Sequence, residues 1–484
     1  MREYASPGSL RLPLAGNLTD DVVANADEHG ADVGFSRRVG DGWQDVSWAE
    51  FLADVTAAAK GLVSVGVVAG DRVALICKTR YEWAVLDYAT WFAGAVTVPV
   101  YETSSAEQIG WILADSGAVL AVAETPDHLA RVTEASGDLP GLRRVVCIET
   151  GGLEDLVEAG TAVDDAVIDE RRAGVTPDSL ATLIYTSGTT GRPRGCRLTH
   201  GNFMFELGVA TTLLHELFDV EDASTLLFLP LAHVFARIIS VGCVKARVRV
   251  GHTADIMDLV DDLGAFRPTF ILAVPRVFEK VFNTASGRAA SDGKARVFNA
   301  AVSTAVAYSE AQDRRGPGVL LRARHAMFDR IVYTRLRAAL GGNLQFAVSG
   351  GAPLGERLAH FYRGVGVPIL EGYGLTETTA ALTVNLPQAQ RVGTVGRPLP
   401  GTTVRVADDG ELLFMGGQVF AGYWHDDEAT RESLVDGWFH TGDVGEVDDE
   451  GYLRVTGRKK EILVTAGGKN VAPAVLEDRV RAHP

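Results

Sequence analysis

Four cysteines in 484 residues, Cys77, Cys147, Cys196 and Cys243, stand far apart, with no CxxC pair and no histidine cluster at metal spacing. A disulfide scaffold and a structural zinc are excluded, and a reducing compartment fits. Positive charge is also short: 46 Lys plus Arg face 62 Asp plus Glu, a formal net charge of −16. Phosphate-backbone affinity rests on clustered cations that release counterions, so nucleic acid is not the expected partner. Long apolar runs are missing as well. The nearest, Trp83 to Tyr101, carries Asp87, Gly94 and Pro99 and reads as a helix running into a buried strand. The opening residues, Met1 to Pro7, lack the apolar core of a signal peptide. A cytoplasmic location is the expectation.

What is present is alternation. Short β-branched apolar runs recur between longer helical stretches: Val73 to Cys77, Val119 to Ala123, Val145 to Ile148, Leu183 to Thr186, Leu226 to Leu229, Phe270 to Val274 and Leu344 to Val348. That is the pattern of an α/β fold. Ser47-Trp48-Ala49-Glu50 and Ser104-Ser105-Ala106-Glu107 each fit a capping box and predict helix starts. Beyond about residue 395, Asp408-Asp409-Gly410 and Asp448-Asp449-Glu450-Gly451 predict turns between alternating strands, a β-rich subregion. The stretch from Ala285 to Gly318, broken at Arg314-Arg315-Gly316-Pro317-Gly318, reads as a surface insertion. No internal repeat appears, so one large α/β body is expected rather than a solenoid.

Three clusters carry chemistry. Thr186-Ser187-Gly188-Thr189-Thr190-Gly191-Arg192-Pro193-Arg194-Gly195 follows a buried strand. Its glycines let backbone N–H groups approach an anion, and its hydroxyls and arginines add donors and charge, so it is suited to cradling phosphates. It does not match the GxxxxGK[ST] loop. Ser349-Gly350-Gly351-Ala352-Pro353 and Glu371-Gly372-Tyr373-Gly374-Leu375-Thr376-Glu377 each stand at a strand end, where open α/β sheets bind ligands. Tyr373 offers a face for a base, Thr376 a hydroxyl for a phosphate, and Glu377 an oxygen ligand for Mg²⁺. Taken singly, Tyr373 fits a core position and Glu377 a solvated cap equally well. In the third cluster, Asp436-Gly437-Trp438-Phe439-His440-Thr441-Gly442-Asp443 followed by Gly451-Tyr452-Leu453 and Arg458-Lys459-Lys460-Glu461, Asp443 can accept two hydrogen bonds from a ribose diol, and Arg458 can donate to the same sugar; a turn aspartate and a basic hairpin are the plain alternatives.

In this order and spacing, the three clusters resemble the AMP-forming acyl-activating synthetases. With Phe228-Leu229-Pro230-Leu231-Ala232-His233, they look most like long-chain fatty acyl-CoA ligases. The resemblance implies ATP, Mg²⁺ and coenzyme A as cofactors and co-substrates and a fatty acid as substrate. The expected reaction makes an acyl-adenylate and passes the acyl group to the thiol. The implied fold is a large N-terminal domain of packed, mostly parallel α/β sheets over 1–457, with the β-rich subdomain at about 395–457, then a hinge and the start of a small domain over 458–484. Carried over by residue, Thr186 to Gly195 is the phosphate loop, with Thr186 and Glu377 at the metal. Gly350, Gly351, Ala352, Pro353, Glu371, Gly372, Tyr373 and Gly374 lie at the nucleotide, and Thr376 at the phosphates. Asp443 and Arg458 are the ribose pair, Lys460 the hinge, Gly468 the glycine of the pantetheine path, and His233 a neighbour of the acyl site. A lone His after a strand end is also compatible with a structural role.

Arg194 stands where the family usually has Lys, keeping the charge in a planar fork. Arg237 stands where some fatty-acyl members place a gating Trp, so no such gate is implied. The family also carries a Lys late in its small domain that contacts the acyl carboxylate. This chain ends at Pro484, before any such position, so a poor rate of adenylate formation by the chain as it stands is expected. Two other readings remain open: an adenylation unit loading a carrier protein or reductase domain, and a non-catalytic binding module. A peripheral contact with the inner membrane face, at the Ala285 to Gly318 insertion, is a further expectation.

Overall fold

The computed structural model describes residues 2–8, 12–40, 42–135, 137, 139–186 and 192–461, and the backbone of 463–464 and 470–471. All seven apolar runs overlap strands. Four lie in a six-stranded sheet ordered Arg144–Cys147, Ala118–Ala123, Arg72–Ile76, Val96–Val100, Leu180–Thr186 and Arg194–Thr199. It is parallel except for its last, antiparallel pair. A nine-stranded sheet has a parallel centre of Ile369–Tyr373, Phe346–Ser349, Phe270–Ala273, Ser224–Leu227, Arg249–His252 and Val33–Val39, with antiparallel strands at both ends. Parallel strands need crossover helices, which cover both faces and explain why these runs are apolar throughout.

The hairpins expected after residue 395 form a third, antiparallel sheet from Thr403–Val406, Glu411–Met415, Leu434–Val435, Trp438–Val447 and Leu453–Arg458. Arg2–Ala5 completes its edge, pairing Arg2 with Val406 and Ala5 with Thr403. Nothing local in the first residues signals so distant a partner.

Two local readings need correction. The second capping box is shifted by one residue: Ser105 Oγ accepts from the Gln108 N–H at 3.2 Å, and Gln108 Oε1 accepts from the Ser105 N–H at 3.0 Å. Both registers fit the pattern, and the observed one turns Ile109, Ile112 and Leu113 into the core. The supposed surface insertion is half core. Helix Ala295–Gln312 buries Phe298, Ala301, Val302 and Ala305, and at Gly364 of the neighbouring helix a Cβ would meet the Ala305 carbonyl oxygen at 2.1 Å. The segment Trp83 to Tyr101 is the buried helix Tyr81–Phe92 followed by Val96–Val100. Among the described residues, no helix is long and apolar enough to cross a membrane.

One charged pair lies inside this core. Arg237, on the helix Val234–Ala246 that follows the nine-stranded sheet's Ser224–Leu227, is fully buried and meets Asp87 on Tyr81–Phe92 with both carboxylate oxygens engaged. It also donates to Thr182, while Thr97 donates to Asp87. The rings of Trp83, Trp91 and Phe203 stand 5.2 to 5.8 Å from the guanidinium. Removing one member strands the other charge, so Asp87→Ala should cost about 3–5 kcal/mol. The double change Asp87→Ala with Arg237→Met should recover most of it, read as midpoints of urea unfolding.

Two buried histidines add a pH dependence. Burial lowers His200 to about 3 and His252 to about 4, against 6.5 when exposed. The unfolded chain therefore takes up these protons first, and stability is lost as pH falls below about 6.5. Between pH 7.5 and pH 5.0 the protein should lose roughly 2 kcal/mol relative to its His200→Asn variant. Denaturation curves at the two pH values check this.

Candidate active site

The C-terminal ends of Leu180–Thr186, Phe346–Ser349 and Ile369–Tyr373 open on one cavity of about 1220 Å³. Thr186, Arg194, His233, Gly350 and Gly351 line it, as do Gly372, Tyr373, Gly374, Thr376 and Glu377, with Arg458 and Lys460 closing one side. Thus most of the described residues singled out in the sequence share one space. Ser187, Gly188, Thr189, Thr190, Gly191 and Gly468 lie outside the described residues.

Asp443, Gly195, Ala352, Pro353 and Glu371 do not line the cavity, and three of them, Asp443, Glu371 and Gly195, support it. Asp443 is buried one layer behind. Its Oδ2 accepts from the Tyr373 hydroxyl at 2.6 Å, and its Oδ1 meets Arg458 Nε at 2.9 Å across the antiparallel pair Asp443–Arg458. Burial raises the Asp443 carboxyl, while Tyr373 and Arg458 pull it back down. Glu371 Oε1 accepts from the Leu354 N–H at 3.1 Å, which pins the turn containing Gly350 to Pro353. Ala352 and Pro353 sit exposed on that turn. At Gly195 a Cβ would meet the Tyr185 ring at 3.1 Å, so glycine there permits close strand packing.

On the opposite wall, Glu377 stands in the short turn Thr376–Thr378 and accepts from the Tyr423 hydroxyl at 2.9 Å. Arg194 packs over the Tyr423 ring and pairs with Asp426 at 3.1 Å. Cys196 lies 4.0 Å from the Thr186 hydroxyl, and burial with the nearby Glu377 pushes its thiol well up. A protonated thiol is a poor nucleophile. His233 Nδ1 accepts from the Phe235 N–H at 3.1 Å, which caps Val234–Ala246 and assigns the ring proton to Nε2. Burial lowers this imidazole and keeps it neutral. Lys459, beside Lys460, bridges Asp409 and Glu411 at 2.6 and 2.8 Å.

The rest of the cavity is an apolar trough. Helix His200–Leu213 presents Glu206, Leu207, Ala210 and Thr211 to it, and Val234–Ala246 presents Val234, Phe235, Ile238, Ile239 and Gly242. Both sets repeat at one and four residues, the spacing of a single helix face. Gly242 lets the helices close up, since a Cβ there would stand 3.1 Å from Leu207. Sequence reasoning missed Tyr423, Asp426, Cys196 and Glu206. None sits in a motif, and only Glu206 leaves a trace, a lone acidic residue in the apolar run Phe203 to Leu214.

A polar wall at parallel strand ends joined to an apolar trough is a site suited to holding a polar group beside an apolar one. Residues 22–424 match the family model described as AMP-binding enzyme, and the chain belongs to that family. The resemblance to AMP-forming synthetases is thereby borne out. The chain is 54% identical to the long-chain-fatty-acid–CoA ligase FadD15 of Mycobacterium tuberculosis (strain ATCC 25618 / H37Rv), over all of this chain and 81% of that protein. It is 30% identical to the long-chain-fatty-acid–CoA ligase ACSBG1 of Rattus norvegicus, over 93% of this chain and 65% of that one. Among solved structures, the ATP-bound RpMatB-BxBclM chimera B3 superposes with a TM-score of 0.75 at 25% identity, covering 97% of this chain and 83% of the other. The N-terminal domain of FACL13 from Mycobacterium tuberculosis shares the fold, with a TM-score of 0.70 at 23% identity over 91% of this chain and 99% of that one.

Proposed function

We propose that the protein activates a fatty, long-chain carboxylic acid with ATP through an acyl-adenylate and transfers the acyl group to coenzyme A, releasing pyrophosphate and AMP. The relatives named as long-chain-fatty-acid–CoA ligases support the reading. The observation that carries it is the single cavity in which the polar wall meets the apolar trough. Residues 1–457 are the adenylation domain in this reading, and Lys460 is the pivot on which the following segment turns between the two half-reactions. The same reading gives Gly468, outside the described residues, the role of the pantetheine-path glycine.

Bringing a carboxylate to a triphosphate sets like charges against each other, so the work of the site is to offset repulsion and align the atoms. Thr186, Arg194 and the loop between them, with Thr376, hold the phosphates. Tyr373 and Gly350 to Pro353 border the adenine, and Glu371 fixes their turn. Arg458 meets the ribose diol at the cavity wall, and Asp443, one layer behind, reaches it by giving up its Tyr373 or Arg458 contact. His233 offers a neutral Nε2–H at the acyl carboxylate. Glu377 and Thr186 supply the hard oxygen donors that Mg²⁺ takes from a protein when substrate phosphates provide the remainder. The ion, when bound, neutralises phosphate charge during attack. Neither Cys196 nor His233 is set up as a nucleophile, and adenylate formation needs none.

Four buried thiols fit a reducing cytoplasm. Val319 and Leu320, each 84% exposed directly after the Arg314 to Gly318 turn, support a peripheral membrane contact. Product analysis with free coenzyme A against a carrier protein decides the acceptor.

Glu377→Ala should lower acid-dependent pyrophosphate release by about 10² to 10³, the scale of one lost electrostatic stabiliser. A near-normal rate at low Mg²⁺ removes its metal role. Asp443→Asn should weaken ATP binding by about 1 to 3 kcal/mol. Equal affinity of the unmutated protein for ATP and 2′,3′-dideoxy-ATP would sink the ribose assignment.

A further inference from the structure

Glu206 stands out in the trough because a carboxyl there serves neither a nucleotide nor a plain alkyl chain. It is 1% exposed, lies on the cavity face of His200–Leu213, and is followed on that face by Leu207, Ala210 and Thr211. The facing helix contributes no ionisable side chain to the lining. Among the described residues Glu206 makes no ion pair and its Oε2 has no hydrogen-bond partner; the Ala381 backbone N–H faces the carboxyl. The Thr211 hydroxyl donates to the Leu207 carbonyl at 2.7 Å. Burial pushes the carboxyl well above the usual range, so it is held as the neutral acid.

An unpartnered buried polar atom is unfavourable, and a group that completes it from the ligand side gains what the protein lacks. A neutral carboxylic acid donates one hydrogen bond and accepts another. Its natural complement in an otherwise apolar trough is an alcohol, which does the same. We infer that Glu206 forms a hydroxyl-recognition subsite within the acyl trough, and that the protein selects fatty acids carrying a hydroxyl at the chain position that lies against it. The inference rests on the adenylation reading above and names the substrate class.

The test uses acids of one chain length, unsubstituted or bearing a single hydroxyl at successive carbons, with pyrophosphate release as the readout. The corresponding acyl sulfamoyl-adenosines are titrated in parallel by calorimetry. In the unmutated protein one hydroxyl position should exceed its neighbours by about tenfold or more in kcat/KM and in affinity. In Glu206→Leu that ratio should collapse to within about twofold, whereas Glu206→Gln, whose amide donates and accepts, should keep part of it. A flat positional profile in the unmutated protein overturns the inference, as does a preference that survives Glu206→Leu. If no acyl sulfamoyl-adenosine binds at all, the adenylation reading fails; if one hydroxylated analogue binds preferentially, the subsite stands even where pyrophosphate release is slow. Should Glu206→Leu not fold, the unmutated profile and Glu206→Gln decide between the same outcomes.

Discussion

The two parallel sheets are tied together by Arg237 and Asp87. An arginine this deep is tolerable only because each of its neighbours answers it: a two-point carboxylate, the Thr182 hydroxyl and three aromatic rings. Its geometry reaches both halves of the cavity. The helix that bears Arg237 begins at His233 and forms one side of the trough, while Thr182 lies four residues before Thr186 on the strand that opens the phosphate-binding wall. The acyl side and the nucleotide side are thus held in one frame by a contact that touches neither substrate. That is why a residue at this position is unavailable as a gate: its guanidinium lies outside the trough lining and is held by Asp87 and Thr182.

Where chemistry is written in local patterns, the sequence was readable. Apolar β-branched runs mark the strands, because parallel strands covered on both faces admit little else, and glycine-rich stretches directly after them mark the strand-end loops. Thr186, Tyr373, Thr376 and Glu377 were found through such stretches. Long-range pairing was not readable. Arg2–Ala5 carries no mark of its partner Thr403–Val406, and Tyr423 reaches Glu377 from a connection that bridges to Cys196 of the six-stranded sheet. The helix Ala295–Gln312 was misjudged for a related reason: small residues suit an exposed stretch and a tight helix contact equally well, and only the proximity of Gly364 tells them apart.

Within the site, side chains are arranged so that few need to change state. Tyr373 and Arg458 hold Asp443 from opposite oxygens, Glu371 fixes a turn it does not share with a ligand, and His233 spends one nitrogen on capping its helix. Such anchoring limits reorganisation when charge develops, which is where preorganised sites gain over water.

The pairing of Arg2–Ala5 with Thr403–Val406 bears on how the protein is made. A ribosome adding about 5–20 residues per second leaves this first strand without its partner for roughly 20 to 80 seconds. During that time its free backbone donors and acceptors are an open edge of the kind that recruits other chains. Arg2 and Glu3 place charge on it, and both find partners only at the end, in Asp449 and Arg405. The third sheet, completed late, is therefore also the one that covers this early open edge.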